Sequence, residues 1–297
     1  MKRILITGAG SYIGTSVEKW LKKEKFSGMY QADTVDMRGE DWKKMDFSGY
    51  DTVFHVAGIA HADIGKVTEE QKKLYYQVNC DLAVETARKA KAEGVKQFIY
   101  MSSIIVYGEG TSIRKKRVTT RKTKPCPSNF YGDSKWKAEQ KLKPLADEKF
   151  RVAILRPPMI YGEGCKGNYR TLRKIALLLP VFPNFSNERS MLYIGNLCEF
   201  VRRLAESGEG GLYFPQNREY VNTAKMVRLI GASHKRNVRL ISGVGWSLYL
   251  GGQIPGKIGG IINKAFGSLV YEPEETFDNQ YQIYSLKASI KKTEREA

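Results

Sequence analysis

A glycine-rich turn between an apolar run and an amphipathic segment is the feature that most constrains the fold. Residues 3–7 predict a short strand, and residues 12–24 carry apolar side chains at helical spacing. The turn between them contains Gly8, Gly10 and Gly14. Glycines let the backbone turn tightly and approach a pyrophosphate, and a helix N-terminus attracts phosphates. This context predicts a βα unit that binds a dinucleotide.

The alternation of strands and helices continues along the chain. Strands are predicted to end at residue 36 and to cover residues 51–57, 97–101 and 151–155, and a long helix is predicted over about residues 69–93. This order indicates βαβ units and an α/β fold with a Rossmann-type, doubly wound parallel sheet. Such sheets bind their ligands at the carboxyl ends of the strands.

Asp36 ends the second predicted strand and follows the glycine turn at the spacing of a ribose-binding residue. A carboxylate there binds the adenosine ribose through its hydroxyls and repels a 2′-phosphate, so NAD is favoured. Arg38 lies close enough in the sequence to attract that phosphate, and NADP therefore stays open. An ordinary turn residue at the end of a strand is the alternative for Asp36.

Tyr131 and Lys135 lie four positions apart, and Ser103 follows the strand predicted over residues 97–101. On a helix, residues at this spacing share one face, and a lysine cation beside a phenol is expected to lower its pKa. The phenolate would be a base usable near neutral pH, with the serine hydroxyl beside it. The pattern alone is weak because the chain contains 17 tyrosines. A surface tyrosine with a helix-stabilising lysine is the alternative.

Composition limits the classes of function. Hydrophobic residues make up 42% of the chain, and no apolar run reaches the roughly 20 residues needed to span a bilayer. The four cysteines are scattered without Cys-x-x-Cys spacing, which argues against a metal site or a disulfide framework and favours a reducing cytoplasm. The net charge of +18 indicates anionic partners. Nucleic acid is not expected, because no recognition helix or stacking platform is visible.

Two segments predict surface roles. Residues 114–124 are strongly basic, and no acidic residue occurs from position 111 through 128. A solvated loop, a phosphate-facing loop and a loop on the inner membrane surface are the alternatives. Residues 244–270 are apolar and rich in glycine, and Lys257 and Lys264 are their only charges. A cover over a substrate pocket, a dimer contact and peripheral membrane contact are the alternatives there.

As an ordered set, these motifs resemble the extended short-chain dehydrogenase/reductases, and within them the NAD-dependent epimerase/dehydratase group that acts on nucleotide sugars. The resemblance covers roughly residues 1–205 and includes the run His-Val-Ala-Gly at 55–58. It implies that Ser103, Tyr131 and Lys135 are catalytic. The cofactor contacts that it implies are Gly8, Gly10, Ser11, Tyr12, Ile13, Gly14, Asp36, Arg38, Asp46, Phe47, Ala57, Gly58, Asn79, Tyr131, Lys135 and Pro158.

The resemblance also implies a nucleoside-diphosphate sugar as substrate and no metal. The implied substrate contacts are Ser103, Tyr131, Lys166, Asn168 and Arg189. An NAD-binding domain is expected over residues 1–162, with about 190–205 returning to it, and a smaller substrate-binding region over residues 163–297. A homodimer is expected, because the family commonly dimerises through a four-helix contact.

C4 epimerisation of a UDP-hexose or UDP-N-acetylhexosamine through a transient 4-keto sugar is the function expected first. An NAD(P)H-dependent 4-keto reductase of a UDP-6-deoxy-hexosamine would use the same triad and stays open. A dehydratase is disfavoured, because Ile104 and Ile105 stand where the family's dehydratases usually place acidic residues. A catalytically silent NAD-binding protein of the same fold is the third alternative.

Two departures from the family pattern carry expectations of their own. Ser11 occupies the place of the middle glycine in Gly-x-x-Gly-x-x-Gly, and Gly10 stands one position early. We therefore expect looser cofactor binding or a shifted backbone around the pyrophosphate. The chain is also short for a sugar epimerase, which predicts a reduced C-terminal substrate domain.

Overall fold

The computed structural model describes residues 1–60, 67–108 and 110–295. By internal packing the chain divides into two units. Unit 1 comprises Met1–Glu109, Lys124–Pro157 and Leu197–Pro215, and unit 2 comprises Gly110–Thr123, Pro158–Asn196 and Gln216–Ala297. The predicted division into a cofactor-binding domain and a substrate-binding region concerns ligands, and it stays a prediction.

The described residues form short strands and mostly short helices. The strands are β1 (Lys2–Thr7), β2 (Tyr30–Val35), β3 (Thr52–His55), β4 (Gln97–Met101), β5 (Arg117–Thr119), β6 (Arg151–Leu155), β7 (Met159–Tyr161), β8 (Val181–Pro183), β9 (Met191–Tyr193), β10 (Gly211–Tyr213), β11 (Arg239–Ile241) and β12 (Leu269–Tyr271). The helices are α1 (Tyr12–Leu21), α2 (Glu69–Tyr76), α3 (Leu82–Ala92), α4 (Phe130–Leu142), α5 (Asn168–Leu178), α6 (Ile194–Ser207), α7 (Thr223–Ser233), α8 (Gly245–Gly251), α9 (Lys257–Phe266) and α10 (Leu286–Arg295).

Unit 1 is built on a six-stranded sheet with the strand order β10-β6-β4-β3-β1-β2. Each neighbouring pair is parallel, so the prediction of a doubly wound parallel sheet is confirmed. After β1 the chain adds β2 on one side and β3 on the other, which makes the β1/β3 boundary the switch point. In register, Thr7 lies opposite both Val35 and His55. Parallel sheets bind ligands at this point.

The central strands are buried on both faces, as expected for a parallel sheet covered by helices. All five residues of β4 are buried, as are the last four of β1 and of β6. One face packs against α3 and α4. The α3 contacts are small side chains, including Ala83, Ala87 and Ala90, which let the helix lie close to the sheet.

The helix predicted over residues 69–93 is interrupted. One π-helical turn, Gln77–Asp81, separates α2 from α3. Such a turn inserts a single extra residue, so it barely changes the apolar spacing that predicted the helix. The carbonyl of Asn79 in this turn accepts a hydrogen bond from the Tyr100 hydroxyl at 2.8 Å. The π-turn is therefore anchored to β4.

Unit 2 contains two-stranded parallel pairs, β5 with β12, β7 with β9 and β8 with β11. Helix α7 packs against both α5 and α10. The basic segment that the sequence left open as a loop contributes β5, whose Arg117 N–H donates to the Ser268 carbonyl at 3.0 Å. Across residues 1–60, 67–108 and 110–295, every helix is too short or too polar to cross a bilayer.

Candidate active site

The glycine turn lies between the end of β1 and the start of α1, as predicted. Gly8 and Gly10 adopt positive φ values of 83° and 73°, which side chains disfavour. The amides of Gly8 and Ala9 donate to the Val35 carbonyl at 2.9 and 3.0 Å, which ties the turn to the end of β2. The positive end of the α1 dipole adjoins this turn and suits a phosphate.

Ser11 fits the turn without distortion. Its backbone is extended (φ −71°, ψ 149°), and its hydroxyl caps α1 by accepting from the Gly14 amide at 3.2 Å. A Cβ at position 14 would lie 2.7 Å from that hydroxyl and 3.3 Å from the Gly8 carbonyl oxygen, so a side chain there would displace the cap. The positive φ is adopted by Gly10, one position earlier, and not by Ser11. A serine in the middle position therefore stabilises the helix start, and the expected effect of Ser11 on cofactor affinity stays untested.

Close backbone approaches form a cradle at the carboxyl end of the sheet. A Cβ at Gly8 would lie 3.0 Å from Ala57, and one at Gly58 would lie 2.9 Å from Asn79 Oδ1 and 3.1 Å from Lys135 Nζ. The loop after β3 thus meets the glycine turn on one side and α4 on the other. Glycine at these points lets the three segments pack closely at this edge of the sheet, beside a helix N-terminus that suits a phosphate. These residues fit a dinucleotide such as NAD.

Asn79 explains how this loop is held. Its side chain is buried, and Oδ1 accepts from the Ile59 amide at 2.8 Å while Nδ2 donates to the Ile59 carbonyl at 3.0 Å. Nδ2 also lies 3.2 Å from the Ser134 hydroxyl, which donates to the Tyr131 carbonyl. One amide therefore connects the loop after β3 to α4. We propose that Asn79 serves the cofactor site through this loop.

Asp36 and Arg38 form an exposed pair just after β2. Arg38 Nε lies 3.0 and 2.9 Å from the two carboxylate oxygens, and its amide donates to Oδ1 at 2.9 Å. These hydrogen bonds lower the pKa of Asp36 to about 2. The carboxylate predicted to bind the ribose is therefore ionised at neutral pH and lies beside a guanidinium that suits a phosphate.

This pair gives a prediction about cofactor choice. Arg38→Gln should weaken NADP binding about tenfold more than NAD binding, because it removes the cation nearest to the ribose-binding carboxylate. Titration calorimetry with both dinucleotides measures the ratio. Lys44→Gln, which removes an exposed lysine paired with Asp41, is the matched control and should leave the ratio unchanged. An equal loss of both affinities in Arg38→Gln would contradict the prediction.

Two predicted cofactor contacts, Asp46 and Phe47, lie after β2. Asp46 is exposed, and its pKa is lowered mainly because its carboxylate accepts from the Ser48 amide at 2.8 Å. Phe47 is fully buried, and its amide donates to Glu93 Oε2 at 2.6 Å. The Phe47 ring is thus a core residue, and it fixes the position of its neighbour Asp46. Their contact with the cofactor stays a prediction.

Ser103, Tyr131 and Lys135 converge in unit 1 at the carboxyl end of β4. Ser103 lies two residues beyond this strand and caps the 3₁₀ turn Ile104–Tyr107, and Tyr131 is the second residue of α4. Lys135 lies one turn later, is buried, and donates from Nζ to the Met101 carbonyl at 3.0 Å. The Ser103 and Tyr131 hydroxyls interact.

The structure corrects the expected electrostatics of this pair. Burial outweighs the Ser103 contact and raises the pKa of Tyr131 to about 12. Burial also lowers the pKa of Lys135 to about 8, opposed by the negative charge of Glu139. The phenol is therefore protonated at neutral pH, and the lysine alone does not make it a phenolate. Any lowering of the Tyr131 pKa must come from the bound cofactor and substrate.

His55, at the end of β3, is a buried group that the sequence analysis did not single out as chemical. Its Nδ1 lies 3.0 Å from the Thr7 hydroxyl, and its Nε2 has no partner among the described residues. Burial, and then the charge of Lys135, lower its pKa to about 3. The ring is therefore neutral at every pH at which an enzyme of this kind would work.

His55 should make stability depend on pH. Its pKa is about 6.5 when the chain is unfolded, so the unfolded state binds the proton as the pH falls and stability decreases. Between about pH 7.5 and pH 5, the free energy of unfolding should fall by about 2 kcal/mol from this group. Urea unfolding at both pH values measures the change. His55→Asn should remove this part of the slope, and an unchanged slope would contradict the assignment.

A buried ionic network beneath α4 was missed from the sequence. Arg156 Nε lies 2.9 and 3.1 Å from the two oxygens of Glu139, and both side chains are at most 2% exposed. The same carboxylate accepts from the Ser102 hydroxyl, and Arg156 donates to the Tyr107 hydroxyl. The network ties α4 to the segments on both sides of Ser103. The available signal was spacing, since Glu139 follows Tyr131 and Lys135 at i+4 intervals.

The remaining predicted residues belong to unit 2. Lys166 and Asn168 are exposed at the start of α5, and Pro158 is the first residue of the unit's second segment. The guanidinium of Arg189 donates to the Lys264 carbonyl, and burial lowers its pKa. The structure brings Arg189 to the C-terminal end of α9. The predicted roles of these residues toward substrate and cofactor remain proposals.

Comparison with known proteins decides the family. Residues 4–214 match the profile of the NAD dependent epimerase/dehydratase family. The chain belongs to this family. The NAD dependence and the enzyme class predicted from the sequence are thereby confirmed.

Curated relatives of the chain are named as 4-epimerases. The UDP-glucose 4-epimerase of Vibrio cholerae is 28% identical over 294 residues, which cover 93% of this chain and 88% of the relative. An Escherichia coli O157:H7 protein, N-acetyl-alpha-D-glucosaminyl-diphospho-ditrans,octacis-undecaprenol 4-epimerase, is 30% identical over 218 residues, 67% of this chain and 62% of the relative.

Solved structures share the fold. The UDP-glucuronic acid 4-epimerase of Bacillus cereus in complex with NAD has a TM-score of 0.71 at 17% identity and covers 99% of this chain and 96% of that one. The dTDP-4-dehydrorhamnose reductase of Bacillus anthracis in complex with NADP has a TM-score of 0.70 at 18% identity and covers 100% of both chains. At these identities the likeness shows the fold alone.

Proposed function

We propose that the protein inverts C4 of a UDP-hexose or a UDP-N-acetylhexosamine through a transient 4-keto sugar. The observation that carries the proposal is the convergence of Ser103, Tyr131 and Lys135 at the carboxyl end of β4, where Lys135 Nζ lies 3.0 Å from the Met101 carbonyl. The glycine turn and Asp36 end their strands at the same edge of the sheet. This arrangement suits removal and return of a proton beside a bound dinucleotide.

The residues would divide the proton chemistry between them. Tyr131 accepts the proton of the C4 hydroxyl, and Ser103 donates a hydrogen bond to that oxygen as it becomes a carbonyl. NAD, when bound, supplies a hydride acceptor and a positively charged ring. Lys135 contributes a second cation, which favours the phenolate once the substrate excludes water. Return of the hydride to the other face of C4 after the keto sugar has rotated, together with return of the proton from Tyr131 to the C4 oxygen, would give the C4 epimer.

A 4-keto reductase of a UDP-6-deoxy-hexosamine is the second candidate, because Arg38 offers a phosphate-binding cation beside Asp36. An enzyme that consumes reducing equivalents gains from accepting NADPH, whereas an epimerase regenerates its cofactor. Both relatives quoted above are named as 4-epimerases, which supports the first candidate. A silent NAD-binding protein is disfavoured by the intact triad.

One set of incubations separates these candidates. Purified protein is mixed with UDP-glucose or UDP-N-acetylglucosamine and a trace of NAD, and the anomeric signals are followed by NMR. The proposal predicts conversion into the C4 epimers without net NADH formation. Turnover only with a 4-keto sugar and stoichiometric NAD(P)H would establish the reductase instead. A parallel arm with polyprenyl-diphospho-N-acetylglucosamine tests whether a lipid carrier replaces the nucleotide.

A further inference from the structure

Helices α8 and α9 in unit 2 expose an apolar face. Six large apolar side chains within sixteen consecutive residues are exposed, and Trp246 and Ile261 reach 69% and 67%. The six are Trp246, Tyr249, Leu250, Ile254, Ile258 and Ile261. Trp246, Tyr249 and Leu250 on α8, and Ile258 and Ile261 on α9, follow i, i+3 or i+4 spacing, so on each helix they share a face, and Ile254 lies in the turn between the helices. The opposite face of α9 ends in the buried Phe266, which stacks on Phe182.

Glycines hold the two helices together, which leaves the large side chains outside. A Cβ at Gly251 would lie 2.7 Å from Ile262, and one at Gly259 would lie 2.0 Å from the Ile254 carbonyl oxygen. The hairpin therefore packs through glycine backbone and needs none of the exposed side chains for its own core. Large apolar residues on the outside of such a hairpin imply a nonaqueous environment there.

The basic segment lies beside this face. The Ile113 amide donates to Asn263 Oδ1 at 2.8 Å, and the Thr111 hydroxyl donates to the Asn263 carbonyl at 2.9 Å. Arg114 lies over the Tyr249 ring, 5.4 Å from its centroid. Arg114, Lys115 and Lys264 are all exposed. No acidic residue occurs from position 220 through 271 or from 111 through 128. Cations thus border the apolar face in both segments.

We propose that this apolar–basic surface (the six apolar residues with Arg114, Lys115 and Lys264) docks the protein onto an anionic phospholipid bilayer. Apolar side chains at the level of the headgroups with basic residues beside them are the pattern of an interfacial helix. Charge complementarity decides against a second copy of this chain, because an isologous contact would bring two sets of the same cations together. The proposal is independent of which sugar the enzyme converts.

Vesicle sedimentation tests the proposal. The full chain should bind vesicles of equal parts phosphatidylglycerol and phosphatidylcholine at least tenfold more tightly than vesicles of phosphatidylcholine alone. The double variant Ile258→Gln, Ile261→Gln and the double variant Arg114→Gln, Lys115→Gln should each lose at least tenfold in binding to the anionic vesicles. Brominated lipid should also quench the tryptophan fluorescence, and Trp246→Phe should remove most of that quenching.

Matched controls use exposed residues elsewhere in unit 2. Two double variants change the same numbers of apolar and basic side chains, respectively: Leu178→Gln, Leu179→Gln, and Lys287→Gln, Lys291→Gln. Both should bind the vesicles like the parent chain. Thermal unfolding and NAD binding establish that each variant is folded. Failure of the parent to bind anionic vesicles would overturn the proposal. So would equal losses in the control variants, or a surface variant that dissociates a dimer while keeping its vesicle binding.

Discussion

Tyr131→Phe should lower kcat by about 10²–10⁴-fold while leaving NAD affinity within about threefold of the parent value. The substitution removes only the hydroxyl that interacts with Ser103 and keeps the ring that packs edge-on against Tyr75, 6.2 Å between centroids. Protein stability should therefore hold while proton transfer is lost. Steady-state rates with the accepted nucleotide sugar, beside calorimetric NAD binding, measure the effect.

Tyr76→Phe is the matched control for that variant. Its hydroxyl donates to Asp133 at 2.7 Å on the same helix α4, but it has no contact with Ser103 or Lys135 in the described structure. Its rate should change by less than about threefold. If Tyr131→Phe kept more than about a tenth of the parent rate, the phenol would not be the proton acceptor, and the assigned chemistry would fail.

Glu139→Gln should destabilise the protein by about 3–5 kcal/mol, because it leaves the buried Arg156 guanidinium without its counter-charge. Glu139 lies on α4, two turns after Tyr131, so the position of Tyr131 should also be perturbed. Urea unfolding measures the loss of free energy. The double variant Glu139→Leu, Arg156→Met replaces both charges with apolar groups and should recover a large part of it.

An exposed pair supplies the comparison. Glu18→Gln breaks the i,i+4 ion pair between Glu18 and Lys22, and the Lys22 side chain is 58% exposed. The substitution should lower the free energy of unfolding by less than about 1 kcal/mol. A loss of similar size in Glu139→Gln and Glu18→Gln would show that the buried network adds no special stability.

Most of the sheet could be predicted because its central strands contain apolar runs bounded by turns. Gln97–Met101 and Arg151–Leu155 have the bounds that the sequence indicates. The π-turn at Gln77–Asp81 could not be predicted, since one extra residue leaves the apolar pattern nearly unchanged. Strand β5 was also missed, because its partner β12 lies about 150 positions away and its residues are mostly basic or polar.

The candidate site, too, could be predicted from the sequence only in part. Residue type and order were enough to single out Ser103, Tyr131 and Lys135, because a motif is a local property of the sequence. The pKa values were not predictable, because they depend on burial, which raises the pKa of Tyr131 to about 12 and lowers that of Lys135 to about 8. The Glu139–Arg156 network was hidden for a related reason, since its two members meet only in the folded chain.

In the proposed reaction, the C4 hydrogen leaves and returns within one active site while Tyr131 carries the hydroxyl proton. A nucleotide sugar with deuterium at C4 tests it most directly, in ordinary water with a trace of NAD. We expect the C4 epimer to form with its deuterium retained, and Tyr131→Phe to slow this conversion by about 10²–10⁴-fold. Loss of the deuterium to solvent, or formation of the epimer at the parent rate without Tyr131, would contradict it.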